Sequence, residues 1–126
     1  MIKERYVSLE VAKLLAEKGF DEPCYSYFWE DEGYSIGAEY SNKPITAKQL
    51  LGGQFLRPTQ TMACDWLQTK GVLITYDLLS SFDNKFRIKV YRKDYDLDWV
   101  EATNTICFNL EDCINDVLEY SLRKLI

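Results

Sequence analysis

Apolar residues recur at helical spacing in three segments of the chain, and each segment is predicted to be a helix. The first covers residues 9–18, with Ser8 as its N-cap and Gly19 as the residue that ends it. The second covers residues 58–70, and the third follows Asn109 and continues to the C-terminus. Because each helix has one apolar stripe, each must pack against another element.

Residues 23–40 alternate between the two faces of a predicted β-hairpin. A four-residue loop at 30–33 would put every large apolar pair on one face, which fixes the expected register. The expected pairs are Trp29 with Tyr34, Tyr27 with Ile36, and Tyr25 with Ala38. We interpret the resulting aromatic face as core, whereas an open face of this kind would be a protein-binding patch.

A second hairpin is predicted between residues 72 and 90. Pairing Tyr76 with Ile88 aligns the apolar faces of its two strands. The same register sets Asp77 opposite Arg87 on the solvent side, where opposite charges favour each other.

The predicted order of elements is α-β-β-α-β-β-(β)-α, where the bracketed strand is short and covers residues 105–108. Hairpins and separate helices in this order are typical of the α+β class, with a largely antiparallel sheet packed against helices. A chain of 126 residues suits a single domain, which we place at residues 1–126. Within it, residues 41–57 form an irregular segment, mobile or ordered, with room for one helical turn after Thr46.

Composition narrows the class of protein. Hydrophobic residues make up 47% of the chain and aromatic residues 14%, which excludes a disordered chain. No apolar run approaches the ~18–20 residues that span a bilayer, and no apolar stretch follows the charged N-terminus as in a secretory signal. We therefore expect a cytoplasmic protein with no membrane-embedded part.

The four cysteines, Cys24, Cys64, Cys107 and Cys113, form no Cys-x-x-Cys pair, and the chain has no histidine. A tetrahedral zinc site needs closely spaced ligands of these types, so we expect reduced thiols and no bound metal. Cys64 and Cys113 fall on the apolar faces of predicted helices, where a cysteine behaves as a small hydrophobic residue.

Two groups of acidic residues are candidates for calcium binding and for acid–base catalysis. Alternating aspartates at positions 94, 96 and 98 resemble the start of a calcium loop, but Trp99 stands where that loop needs glycine. The acidic residues at 30–32 lie at a hairpin tip, where water equalises the pKa values that acid–base catalysis must separate. An enzyme that uses carboxylates or Cys64 is therefore the weakest hypothesis, and we assign no catalytic residue and no cofactor.

The irregular segment 41–57 contains more large apolar residues than a solvent-exposed connecting loop needs. Its large apolar residues are Leu50, Leu51, Phe55 and Leu56. Together with the surplus of aromatic residues and the absence of catalytic motifs, they favour a non-enzymatic protein that acts through protein–protein contacts and associates with itself. These four residues form the predicted partner-binding set.

One basic cluster, in the predicted strand at residues 85–93, offers an alternative function. Arg87, Lys89 and Tyr91 would lie along this strand and could contact phosphates and stack on bases. The formal net charge of −5 weighs against general nucleic-acid binding. The same acidity allows a second form of the alternative, in which the chain mimics DNA and occupies the DNA site of a host protein.

Several blocks of the sequence together resemble one group of proteins. They are residues 6–15 and 19–25, Pro58-Thr59-Gln60 with Met62-Ala63 and Trp66-Leu67, and Leu110-Glu111-Asp112. The chain resembles small uncharacterised proteins encoded by phages, prophages and other mobile elements of Bacteroides-type gut bacteria. The likeness covers most of the chain, and residues 48–57 depart from it. It implies a genomic setting for the chain, as an accessory protein of such an element, and no catalytic residues.

Overall fold

The computed structural model describes residues 5–31 and 35–126, which form an α+β fold in the predicted order with one additional strand. The helices are α1 (Leu9–Glu17), α2 (Gln60–Thr69) and α3 (Leu110–Lys124), with a 3₁₀ turn at Ala47–Gln49. The strands are β1 (Cys24–Asp31), β2 (Ser35–Ile45), β3 (Gln54–Leu56), β4 (Val72–Ser80), β5 (Lys85–Lys93) and β6 (Trp99–Cys107). They form two antiparallel three-stranded sheets.

The chain divides into two compact units, Met1–Met62 and Ala63–Ile126. The first contains α1 and the sheet of order β2-β1-β3, and the second contains the sheet of order β4-β5-β6 and α3. The assignment of residues 1–126 to a single domain stays a prediction.

The helix ends follow from local hydrogen bonds. Ser8 Oγ accepts the Val11 N–H at 3.3 Å, and Asn109 Oδ1 accepts the Asp112 N–H at 3.1 Å, so both predicted N-caps are confirmed. Helix α1 ends before Gly19, whose φ of +88° is the left-handed conformation that favours glycine.

Helix α2 begins two residues later than predicted. The Pro58 carbonyl accepts the Val7 N–H at 3.1 Å, and Thr59 pairs with Tyr6 in a β-bridge, so both residues are extended. Thr59 Oγ1 then accepts the Met62 N–H at 3.2 Å. Because Pro58 and Thr59 pair with the N-terminal segment, they are not part of α2. Thr59 is the N-cap of this helix.

The register predicted for the first hairpin is wrong. Tyr27 lies opposite Glu39, and Trp29 lies opposite Gly37. A Cβ atom at Gly37 would lie only 2.3 Å from the Trp29 indole, so the ring occupies the space that glycine leaves across the strand pair. The predicted pair of Trp29 with Tyr34 lies outside the described residues.

The aromatic face of the first hairpin was predicted to be core, but in the structure it is partly exposed. Tyr25 is 58% exposed, and Tyr27 and Trp29 are half-buried. The opposite face of β1 supplies the buried side chains Cys24 and Ser26.

Residues 41–57, predicted to be irregular, are largely ordered into elements. Strand β2 extends to Ile45, and β3 adds to the free side of β1. Asp21 Oδ1 accepts the Ala47 N–H at 2.8 Å, which ties the 3₁₀ turn to a segment far away in sequence. The pairing of β1 with β2 is irregular between Tyr40 and Ile45, where Pro44 lies in this edge strand.

The second hairpin has the predicted register. Tyr76 lies opposite Ile88, and Asp77 lies opposite Arg87. The predicted short third strand is longer, because β6 runs over Trp99–Cys107 and pairs with β5 along its length. Ile88 on the inner face of β5 is fully buried in the second unit, and α3 contacts this strand.

Candidate interaction groove on the first sheet

A groove with a volume of about 460 Å³ lies between the first sheet and the segment that connects β2 to β3. Strands β1 and β2 contribute Tyr27, Tyr40 and Ile45, and the connecting segment contributes Leu50 and Leu51. The volume falls in the range of small-molecule sites in proteins. Leu51 is 73% exposed, so the groove offers apolar surface to an incoming ligand.

Three uncharged polar residues complete the lining, and each uses its side-chain oxygen to accept a backbone N–H. Gln49 Oε1 accepts from Thr46 at 2.9 Å. Gln54 Oε1 accepts from Leu51 at 2.8 Å, and Ser41 Oγ accepts from Lys43 at 3.2 Å. These bonds fix which end of each side-chain amide is the oxygen.

The donor groups of these residues have no protein acceptor within the described part of the chain. Among residues 5–31 and 35–126, neither the Gln49 nor the Gln54 Nε2 group has a hydrogen-bond acceptor, and the Ser41 hydroxyl donates to none. The polar lining therefore presents donors, and its glutamine and serine oxygens each also accept a backbone N–H. Tyr27 lines the same groove and carries a hydroxyl that can both donate and accept.

No charged side chain lines the groove within the part of the chain that the structure describes. This is notable in a chain in which 28% of residues are charged. The lining therefore suits a ligand segment without formal charge.

Arg57 holds one wall of the groove in place. Its Nη1 donates to Tyr40 Oη at 3.0 Å and to the buried Ser26 Oγ at 3.3 Å. Its guanidinium lies 4.1 Å from the centroid of the Tyr6 ring, within cation–π range, and also contacts Phe28 and Tyr40. Arg57 thus fixes the Tyr40 side chain against the sheet.

The structure brings together only half of the predicted partner-binding set. Leu50 and Leu51 line the groove. Leu56 is only 5% exposed and belongs to the core. Phe55 points away from the groove-lining Gln54, because successive residues of β3 face opposite sides, and Lys13 Nζ lies 5.8 Å from its ring.

Sequence reasoning missed the aromatic and amide residues of the groove. Tyr27 was assigned to core because a small α+β sheet needs one face covered, whereas in the structure Tyr27 is half-buried and lines the groove. Gln49 had a local signal, because Thr46 and Gln49 have the spacing of a capping box and Gln49 Oε1 accepts the Thr46 N–H. Gln54 follows no such motif, although its oxygen also accepts an N–H three residues away. Arg57 could have been noticed as a lone cation between Leu56 and Pro58.

The alternative set lies in the second unit. Arg87, Lys89 and Tyr91 share the outer face of β5, which is the central strand of its sheet, and all three are half-buried. Asp77 lies opposite Arg87 in the register, but within the described ranges neither Arg87 nor Lys89 forms an ion pair. The Arg87 Nε atom is buried without an acceptor.

The acidic candidates serve local structure. Asp94 Oδ1 accepts the N–H groups of Asp96 at 2.9 Å and Asp98 at 3.0 Å, so it closes the turn between β5 and β6. Glu30 forms an ion pair with Lys13 at 2.7 Å. Asp31 ends β1 and is exposed, and Glu32 lies outside the described residues. In residues 5–31 and 35–126, no three acidic, histidine or cysteine side chains cluster as metal ligands.

The thiols of Cys24 and Cys64 are poor nucleophiles in their surroundings. Burial, with a smaller effect of the Asp65 carboxylate, raises the pKa of Cys64 to about 11. Burial likewise raises the pKa of Cys24 to about 11. Only a thiolate attacks readily, and these values leave little thiolate at pH 7.

Comparison of the chain with models of protein families, with curated proteins and with solved structures found no match. Within the described residues, no helix has the length and apolar character needed to span a bilayer.

Proposed function

We propose that the chain is a non-enzymatic accessory protein, encoded by a phage or mobile element and acting in the cytoplasm, that binds another protein chain through the groove of its first sheet. The open apolar lining at Leu50 and Leu51 is the observation that carries this proposal. The partner is a second copy of the chain or another protein.

Burial of this lining supplies a driving force of adequate size. Covering a largely exposed leucine side chain contributes about 1.5–3 kcal/mol, and 1.4 kcal/mol changes a binding constant about tenfold. Leu51 is 73% exposed in the chain by itself, so a partner that covers it gains most of this contribution. The fixed Tyr40 keeps the ordering cost of the site low.

The test compares Leu51→Asp with Leu97→Asp. Both leucines are 73% exposed, and Leu97 lies outside the groove in the turn between β5 and β6, so the pair differs in location and not in exposure. We expect Leu51→Asp to weaken association at least about tenfold and Leu97→Asp to leave it unchanged.

Association is measured by sedimentation equilibrium for the chain alone and by affinity capture of the tagged chain from cells that carry the element. A strictly monomeric chain that captures no protein would contradict the proposal. Equal effects of the two substitutions would also contradict it, because the groove would then not be the contact surface.

Direct nucleic-acid binding through β5 is a second candidate. The observation that favours it is that Arg87 and Lys89 share one sheet face with Tyr91 and form no ion pair within the described residues. Binding of this kind weakens steeply with salt, because cations on the protein displace counterions from phosphates.

The experiment for this candidate is a titration of fluorescent single-stranded oligonucleotide at two salt concentrations. Direct binding predicts a large loss of affinity at the higher salt and in the double variant Arg87→Ala/Lys89→Ala. Lys43→Ala/Lys48→Ala, which removes two exposed cations of the first unit, is the matched control. Unchanged affinity in the β5 variant would exclude this surface.

A further inference from the structure

We infer that strand β4 pairs edge to edge with β4 of a second copy of the chain, so that two three-stranded sheets become one continuous antiparallel sheet. The pairing surface lies in the second unit, whereas the groove lies in the first. The inference therefore goes beyond the proposed function and leaves the groove to another protein. It is carried by the free backbone groups of β4 and by the order of the residues along it.

Strand β4 is an open edge of its sheet, whose order is β4-β5-β6. Its pairing with β5 is regular from Val72 to Leu78. Natural edge strands are protected by proline, lysine or bulges, but β4 has no proline and no lysine, and its one charged residue is Asp77. The opposite edge strand β6 differs, because its pairing shifts close to Glu101. Strand β4 is therefore the edge of this sheet that is open to the addition of a strand.

The hydrogen bonds to β5 decide which backbone groups of β4 are free. The Lys93 N–H donates to the Gly71 carbonyl at 3.0 Å, directly before the first pair of the strand, Val72 with Arg92. Because bonded and non-bonded positions alternate in an antiparallel pair, the odd-numbered residues of β4 bond to β5. The even-numbered residues direct their N–H and C=O groups to the open edge, where no backbone group of the described residues bonds to them. They include Ile74, Tyr76 and Leu78.

The same even-numbered residues carry apolar side chains on one face of the sheet. This is the face of the buried Ile88, which lies opposite Tyr76. Tyr76 is nevertheless 50% exposed and Leu78 54% exposed, because they lie at the edge. A strand added here would cover apolar side chains and bond to the free backbone groups at the same time.

The order of residues along β4 makes the strand complementary to itself. In an antiparallel pair centred on Tyr76, Ile74 lies opposite Leu78 of the second copy, so apolar residues meet on one face. On the other face, Thr75 lies opposite Asp77 of the second copy, and its hydroxyl can donate to that carboxylate. In this register the free N–H and C=O groups of the two strands also face each other. A second copy of the chain therefore supplies the strand that this edge fits.

The neighbouring registers fit less well. A pair centred on Asp77 keeps the backbone groups aligned but sets the two Asp77 carboxylates opposite each other, which is unfavourable. A pair centred on Thr75 sets Asp77 opposite Leu73 of the second copy, which gives the carboxylate no hydrogen-bond donor. Because the pair centred on Tyr76 is symmetric about a twofold axis, it uses the same edge of both copies and closes as a dimer.

The first experiment compares Tyr76→Glu with Val100→Glu in sedimentation equilibrium of the full chain. Both residues are 50% exposed and lie in edge strands of the same sheet, so the variants differ in which edge is changed. We expect the parent chain to dimerise with a Kd below about 100 μM. Tyr76→Glu should weaken the dimer at least about tenfold, because like charges would meet at the twofold axis, and Val100→Glu should leave it unchanged. Thermal unfolding of both variants checks that they remain folded.

The second experiment locates the contact by amide hydrogen exchange of the ¹⁵N-labelled chain in dilute and in concentrated solution. The amides at positions 73, 75 and 77 bond to β5, so they should exchange slowly at both concentrations. The amides of Ile74, Tyr76 and Leu78 should exchange quickly in dilute solution and several-fold more slowly in concentrated solution. Only a partner at the edge of β4 protects this alternate set.

Three results would overturn the inference. They are a strictly monomeric chain, equal weakening of the dimer by Tyr76→Glu and Val100→Glu, and a dimer in which the three edge amides still exchange quickly. Leu51→Asp should leave the β4 dimer unchanged and reduce only the capture of another protein, so the groove is tested separately. A dimer that is disrupted by Leu51→Asp and not by Tyr76→Glu would contradict pairing through β4 and support association through the groove.

Discussion

The two hairpins of the chain differ in what fixes their registers. In the second hairpin, Tyr76 faces Ile88, and the alignment of apolar faces predicts the observed pairing. In the first hairpin, a large residue faces the smallest one, because the Trp29 indole fills the space beside Gly37. In this chain, matching large residues with large ones gives the register of the hairpin without glycine and fails in the hairpin that contains Gly37.

The largest effect that tests this comparison is expected at Gly37. Alanine in an open strand position is more favourable than glycine by roughly 0.5–1 kcal/mol. At Gly37 the added Cβ meets the Trp29 ring, so we expect Gly37→Ala to lower the free energy of unfolding by about 1–3 kcal/mol. Urea unfolding followed by tryptophan fluorescence and by circular dichroism measures the change.

Gly52→Ala is the matched control, since no atom lies within 4 Å of a Cβ at that position. It should leave stability unchanged or raise it slightly. Gly37→Ala should cost nothing further in a Trp29→Ala background, because the two residues interact directly. A cost that persists in that background would show that the indole does not determine the register.

A much smaller effect is expected from the charged pair of the second hairpin. Asp77 lies opposite Arg87, but the two side chains form no ion pair within the described residues, and Asp77 is exposed. Exposed pairs of this kind contribute little, so Asp77→Asn should change the free energy of unfolding by less than about 0.5 kcal/mol.

Asp65→Asn, at an exposed position of α2, gives the background effect of removing one acidic charge. If Asp77→Asn lowers stability by more than about 1 kcal/mol beyond this control, the charged pair and not the apolar face fixes the second register.

Local signals made much of the fold predictable. The caps at Ser8 and Asn109, the glycine after α1 and the spacing of α3 are each encoded within a few residues. Strand β3 could not be predicted, because three residues are too few to show alternation. The 3₁₀ turn is tied to Asp21, a contact 26 residues away in sequence, which no local pattern contains.

The candidate site was predictable only in part. Leu50 and Leu51 were found because apolar residues in a connecting segment need an explanation. Phe55 and Leu56 were grouped with them, although alternation along β3 sends Phe55 to the side opposite Gln54, and Leu56 is buried in the core. The hydrogen bonds of Ser41, Gln49 and Gln54 are local, but the lining also needs Tyr27 from β1, which is brought to these residues only by the folded sheet.

The irregular end of β2 has a consequence for assembly. A single β1 residue, Tyr25, faces the four residues 41–44 there, and Pro44 has no N–H to offer a neighbouring strand. The edge next to the groove is therefore a poor template for strand addition, the route by which sheets grow into fibrils. A segment bound in the groove would depend on side-chain contacts, so it could exchange freely instead of becoming a permanent part of the sheet.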